Sequence, residues 1–212
     1  MPSLRRIIAI VVLSVPFIVG GLLTLWLWQL RVDISGLPAD FKPIEPGSEL
    51  SRLFYQAGRA SVTGEHQRAV DLYTRALAIE PGPNMISRDL HALRGSEYNF
   101  LDLPDKALTD YEAAIGIRYY EMSDDAIRSY MGRGYAELNL KKYAMAKDDF
   151  DTVLKTVPGD GRRSSSVLAW RGAAWQGLGN RTQAVADYKL ALLLDAENTR
   201  AREGLRVLGE PP

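Results

Sequence analysis

The chain has 212 residues, 46% of them hydrophobic and 25% charged, with 26 basic and 26 acidic side chains, and that apolar content excludes wholesale disorder. The absence of Cys excludes disulfides, thiolate catalysis and Cys-based zinc sites, and two histidines, His66 and His91, are too few for a multi-His metal centre. Residues 1–31 hold Arg5, Arg6 and Arg31 and no acid, so 32–212 carry 23 basic against 26 acidic side chains, net −3, a balance that argues against nucleic acid as a partner.

Residues 1–6 read as a short tail. Ile7 to Leu30 is a run of 24 residues without a charge. At about 1.5 Å per residue it reaches about 36 Å, more than a hydrocarbon core of about 30 Å, so the sequence predicts a transmembrane helix over 7–30. A cleaved signal peptide is the alternative. Its apolar region is shorter, about 7–15 residues, and small residues follow it; here Val19-Gly20-Gly21 offers a cleavage site, but the apolar run continues past it. Arg5 and Arg6 before the span favour a cytoplasmic N-terminus with the body outside, as in a bacterial inner-membrane protein with a periplasmic domain. Residues 31–48 form a linker in which Pro38, Pro43 and Pro46 deny a regular helix or central strand. It either holds the body clear of the membrane or packs along the first helix of the body through Phe41 and Ile44.

Residues 49–212 are a repeat array. Ala69, Ala107, Ala146 and Ala184 recur at spacings of 38, 39 and 38. Four residues after each stands an aromatic: Tyr73, Tyr111, Phe150 and Tyr188. Seven after each stands Ala76, Ala114, Val153 or Ala191, and twelve before each stands Ala57, Gly95, Gly134 or Gly172. Tyr98 and Trp175 follow two of those glycines by three, and Pro81 and Pro158 close the first and third units. The small residue lets two helices approach closely, and the aromatic fills the gap toward the next unit. The pattern places units at about 50–83, 88–121, 127–160 and 165–198. The second helix of the second unit extends through Tyr119 and Tyr120 for want of a breaker. Ala201, Leu205 and Leu208 then form a helical stripe that predicts a cap over 199–209.

These marks resemble the tetratricopeptide repeat, with its L-G-x₂-Y, A-x₃-F and closing-proline pattern. The period of 38–39 exceeds the usual 34, and the second and fourth units lack the proline. The resemblance implies an all-α solenoid of four helix-turn-helix units, preceded by the membrane helix. It also implies that the repeated residues are structural and that the chain is not an enzyme, with no cofactor and no metal. Catalytic motifs with a Gly-rich phosphate loop, G-x-S-x-G or H-E-x-x-H are absent. His66 is expected at the surface in the first interhelix turn. His91 lies on a first helix and is expected to be able to face the groove.

A second regularity pairs Arg94, Arg133 and Arg171 with Asp110, Asp149 and Asp187, each sixteen residues on. Two readings fit: an ion pair fixing the register of each hairpin, which is the simpler, or a row of arginines for an anionic ligand. For function, the resemblance implies a concave groove lined by the first helix of each unit. Its inward positions here include Tyr55, Asn99, Phe100, Arg128, Met131, Tyr135, Trp170 and Gln176. Some relatives of this kind hold acidic C-terminal tails with a clamp of Lys, Asn and Arg; Phe54, Gly58 and Leu93 stand there instead. A hydrophobic or helical protein segment is therefore the expected partner. The rival expectations are a self-associating structural subunit, that is a homo-oligomer, and an assembly factor holding client proteins.

Overall fold

The computed structural model describes residues 44–117, 124–156 and 161–211. The tail, the expected membrane helix over 7–30, the linker up to residue 43, and Tyr119, Tyr120 and Pro158 lie outside the described residues. Among the described residues no helix is long and apolar enough to cross a membrane.

Nine α-helices and no strand occur among the described residues. They are α1 (Glu49–Val62), α2 (His66–Ile79), α3 (Met85–Phe100), α4 (Pro104–Gly116), α5 (Asp124–Asn139), α6 (Tyr143–Thr156), α7 (Gly161–Gly177), α8 (Arg181–Leu194) and α9 (Thr199–Val207). Consecutive helices pack as hairpins α1–α2, α3–α4, α5–α6 and α7–α8, with α9 against α7 and α8. The odd-numbered helices also touch in series, α3 on α5, α5 on α7 and α7 on α9. That is the all-α solenoid the repeat implies.

Local chemistry sets the ends. Ser48, Asn84, Asn180 and Asn198 cap α1, α3, α8 and α9 by accepting a backbone N–H of the first turn. At Asn84 the cap is reciprocal, since the Ser87 hydroxyl accepts the Asn84 N–H at 3.0 Å. Each hairpin turn has the same form: Glu65, Leu103, Lys142 and Asn180 donate their N–H to the carbonyl five residues back. The residue before each donor is left-handed, and it is Gly64 or Gly179 in the outer units but Asp102 or Lys141 in the inner ones. Helix α4 stops at Gly116, with Ile117 already extended, earlier than the expected extension. Gly116 itself is the weak helix former overlooked in the sequence.

The repeated positions make the core. Ala69, Ala107, Ala146 and Ala184 are fully buried, as are the four aromatics beside them. A Cβ on Gly134 would stand 2.8 Å from the Phe150 ring, and one on Gly172 the same distance from Tyr188. In the third and fourth hairpins the two helices therefore meet at a contact only glycine permits, whereas the first hairpin accommodates the buried Ala57 there. The same aromatics reach into the next unit. Tyr111 covers Gly132 of α5 and Tyr188 covers Gly204 of α9, leaving no room for a Cβ at either. Phe150 instead stacks on Trp170 of α7, with centroids 5.9 Å apart.

Candidate functional site: the concave groove

The first helices, aligned side by side, leave an open groove of about 830 Å³. Helix α3 contributes Ser96, Asn99 and Phe100, α5 contributes Ile127, Arg128, Met131, Gly132 and Tyr135, and α7 contributes Arg163, Ser166, Ala169 and Trp170. Six of the eight expected groove residues meet here. Phe100 is 67% exposed, and its ring stacks on His66 at 4.6 Å. Tyr135 and Trp170 lie 5.9 Å apart. The result is an aromatic wall across three consecutive hairpins, with arginines at its rim.

The other two stand apart. Tyr55 is 62% exposed on α1 and does not line this groove. Gln176 lies outside it too, accepting a hydrogen bond of 3.0 Å from the Tyr188 hydroxyl. Asn99 makes the corresponding contact in the second unit, its Nδ2 reaching Tyr111 Oη at 3.4 Å and the Gly132 carbonyl at 3.0 Å. Where the aromatic is Phe150, which has no hydroxyl, Leu138 replaces the amide. The twelve-residue spacing of Asn99–Tyr111, Gln176–Tyr188 and Leu138–Phe150 was the signal that Asn99 and Gln176 serve packing.

Sequence reasoning also missed the groove's end wall. Asp195, Glu197 and Asn198 from the turn between α8 and α9, with Thr199 and Arg200 at the start of α9, close it. Asn198 is fixed there by donating to Ser165 Oγ at 2.8 Å, and Ser165 donates in turn to the Ala191 carbonyl. The turn was legible as a cap, but nothing in its spacing showed that it faces the groove.

The arginine row is internal. Arg94, Arg133 and Arg171 each hold Asp110, Asp149 or Asp187 through two N–H···O bonds of 2.7–2.8 Å, and none of the three lines the groove. The ion-pair reading therefore describes them. Two also bridge to the preceding hairpin, Arg94 to Thr74 Oγ1 and Arg171 to Asp151. The position equivalent for Arg133 is Ala113. Burial pushes the Asp110 carboxyl up, but donors from Arg94 and His91 outweigh it and hold it below the ordinary carboxylate range.

Both histidines depart from expectation. His91 does not join the groove; its Nδ1 meets Asp110 Oδ1 at 2.8 Å between α3 and α4. His66 is the first residue of α2, three-quarters buried, with Nδ1 2.7 Å from Glu97 Oε2. The buried Glu97 also accepts from Ser61 at 2.7 Å. Ser61 bonds the carboxylate rather than the imidazole, so the trio lacks the nucleophile–base contact of a catalytic triad. Among the described residues no group of three or more His, Cys, Asp or Glu side chains is arranged to hold a metal ion.

Comparison with known proteins agrees with this architecture. The tetratricopeptide repeat family model matches residues 127–156, the third hairpin. The solved structure of YrrB, a TPR protein with an unusual peptide-binding site, superposes with a TM-score of 0.62 at 17% identity, covering 74% of each chain. A MamA RS-1 double mutant superposes with a TM-score of 0.65 at 16% identity, over 78% of this chain and 85% of that one. The fold is that of a tetratricopeptide solenoid. By sequence, the chain is similar to heat shock protein STI1 of Saccharomyces cerevisiae, 26% identical over 153 residues. That match covers 72% of this chain but only 18% of the relative's length.

Proposed function

We propose that this chain is a membrane-anchored scaffold that holds a segment of another protein in its concave groove and so organises a complex at the membrane. The observation that carries the proposal is the aromatic wall of Phe100, Tyr135 and Trp170 around an open groove of about 830 Å³. Aromatic, Met and Arg side chains are the ones that dominate binding energy at protein interfaces. The segment is hydrophobic or amphipathic-helical rather than an acidic tail, because Phe54 and Leu93 stand at the clamp positions and pack on the first core. The unusual peptide-binding site of YrrB, a protein of the same fold, supports the same use of the fold. The uncharged run over 7–30 anchors the body, and Arg5 and Arg6 orient it outward. Tethering raises the effective concentration of the groove toward membrane-bound partners.

The test is site-specific photo-crosslinking of the full, membrane-embedded chain. A photoreactive residue at Ser166 or Phe100 is expected to capture the same protein, while one at the exposed Lys155 of α6 does not. Equal capture from all three positions, or capture from Lys155 alone, overturns the groove reading.

A further inference from the structure

The second helix of a hairpin buries one face and turns the other to water, so its outer positions should be polar. Two of the four hairpins, those of α2 and α6, follow this rule at most outer positions, and in α4 the outer positions are small. At the positions two, six and nine residues beyond the repeated alanine, α2 has Asp71, Arg75 and Ala78, α4 has Thr109, Ala113 and Gly116, and α6 has Asp148, Thr152 and Lys155. Helix α8 has Ala186, Leu190 and Leu193. Leu193 is 80% exposed and Leu190 44% exposed, and none of the three lines the groove. The opposite face of α8 already buries Ala184, Tyr188 and Ala191 against α7 and α9. Helix α8 is therefore apolar on both sides, and one side is in water.

We infer that this outer face of α8 docks on the same face of a second copy, as an antiparallel helix pair about a two-fold axis. The stripe is self-complementary in that arrangement. With the axis passing near Leu190, the small Ala186 of one copy faces the large Leu193 of the other, and the relation holds in both directions, as an isologous contact requires. The helix ends carry opposite charges, each also paired within its own chain. Half-exposed Arg181 at the start of α8 meets Glu210 at 2.7 Å, and Glu197 just beyond its end, 84% exposed, meets Arg202 at 3.0 Å. An antiparallel pair brings Arg181 of each copy toward Glu197 of the other and opposes the two helix dipoles. Lys189 lies beside the stripe with its ammonium 3.5 Å from Glu210 of its own chain, which draws it away from the apolar line. Stable interfaces bury about 1,200–2,000 Å² in total. Three aliphatic residues per copy supply less, so the dimer is weak and concentration-dependent. The inference is independent of the groove reading.

The absence of native Cys makes the test clean. Single cysteines are placed at Leu190 in one variant, and at Arg75 and Lys155 as controls on the outer faces of α2 and α6. Each full chain, in detergent, is treated with a short bismaleimide. Leu190→Cys is expected to form covalent dimers at least about tenfold faster than either control, the direction a raised effective concentration imposes. Ala186→Cys mixed with Leu193→Cys should couple faster than either alone. Dimers formed through the 7–30 segment would raise all positions together. Equal rates at Leu190, Arg75 and Lys155 overturn the inference, whatever else covers α8. So does an unchanged Leu190→Cys rate after Ala186→Glu and Leu193→Glu are added, provided circular dichroism shows the helices intact.

Discussion

Glu137 shows what one side chain can do to this array. Two other units have Tyr98 or Trp175 at its position, three residues after the glycine, but here a carboxyl is 1% exposed. Its Oε2 is buried without a hydrogen-bond partner. Burial pushes the carboxyl up to about 7, Asp149 and Glu112 add to the push, and Arg133 and Lys142 oppose it. The folded protein therefore binds a proton that the unfolded chain, near 4.5, does not. The resulting stabilisation is complete below about pH 4.5 and is lost as pH rises through about 7. We predict that Glu137→Gln is more stable than the parent at pH 8 by on the order of 2–3 kcal/mol. The difference between the two should shrink toward zero near pH 4.5. Thermal melts of the pair across this range measure it. Taking the difference cancels the opposite trend from Asp110 and Asp151, whose carboxyls are held low by their arginine partners and by His91 or Lys147. A constant difference across the range would mean that Glu137 does not titrate on folding.

At the scale of the element, the join between hairpins rests on an aromatic of one unit lying over the first helix of the next. Tyr111 on Gly132 is the tightest instance to test, because the ring and hydroxyl fill the space a Cβ would take. Gly132→Ala keeps or improves helix propensity, so any loss of stability reports the collision. We expect a loss of about 1–3 kcal/mol, the usual cost of overpacking, and partial rescue by Tyr111→Phe, which removes the hydroxyl. Denaturant titrations of the two single variants and the double variant measure the coupling. Additive losses would show that the ring does not set the join. The repeated alanine, glycine and aromatic were legible in the sequence because each unit repeats the same packing problem. The end of α4 at Gly116 and the early start of α3 at Met85 were less so. Those boundaries depend on caps and turns, which differ from unit to unit, as the Asn84–Ser87 pair does. The groove wall of Phe100, Met131, Tyr135 and Trp170 followed from the inward positions that the repeat resemblance implies. Gln176 lies outside it, because its tyrosine partner is on the facing helix.

For the whole array, stability is a sum of hairpins and the joins between them, and a terminal hairpin has only one neighbour. Helix α9 supplies that second neighbour for α7–α8. Ala201 and Leu205 cover Leu168, Ala184, Tyr188 and Ala191, and Asn198 ties the turn to Ser165. The same turn is the end wall of the groove, so the element that protects the last hairpin also shapes the binding surface. Ending the chain after Asp195 should therefore have a local effect. Hydrogen-exchange protection is expected to fall by at least tenfold, about 1.4 kcal/mol, in α7 and α8. In α1 to α4, whose joins lie at the other end of the array, protection should stay near the parent's level. Exchange measured by mass spectrometry on peptides from each hairpin separates the two regions. A uniform loss across all hairpins would instead mean that the array unfolds as one cooperative unit, with the cap stabilising every hairpin through the intervening joins.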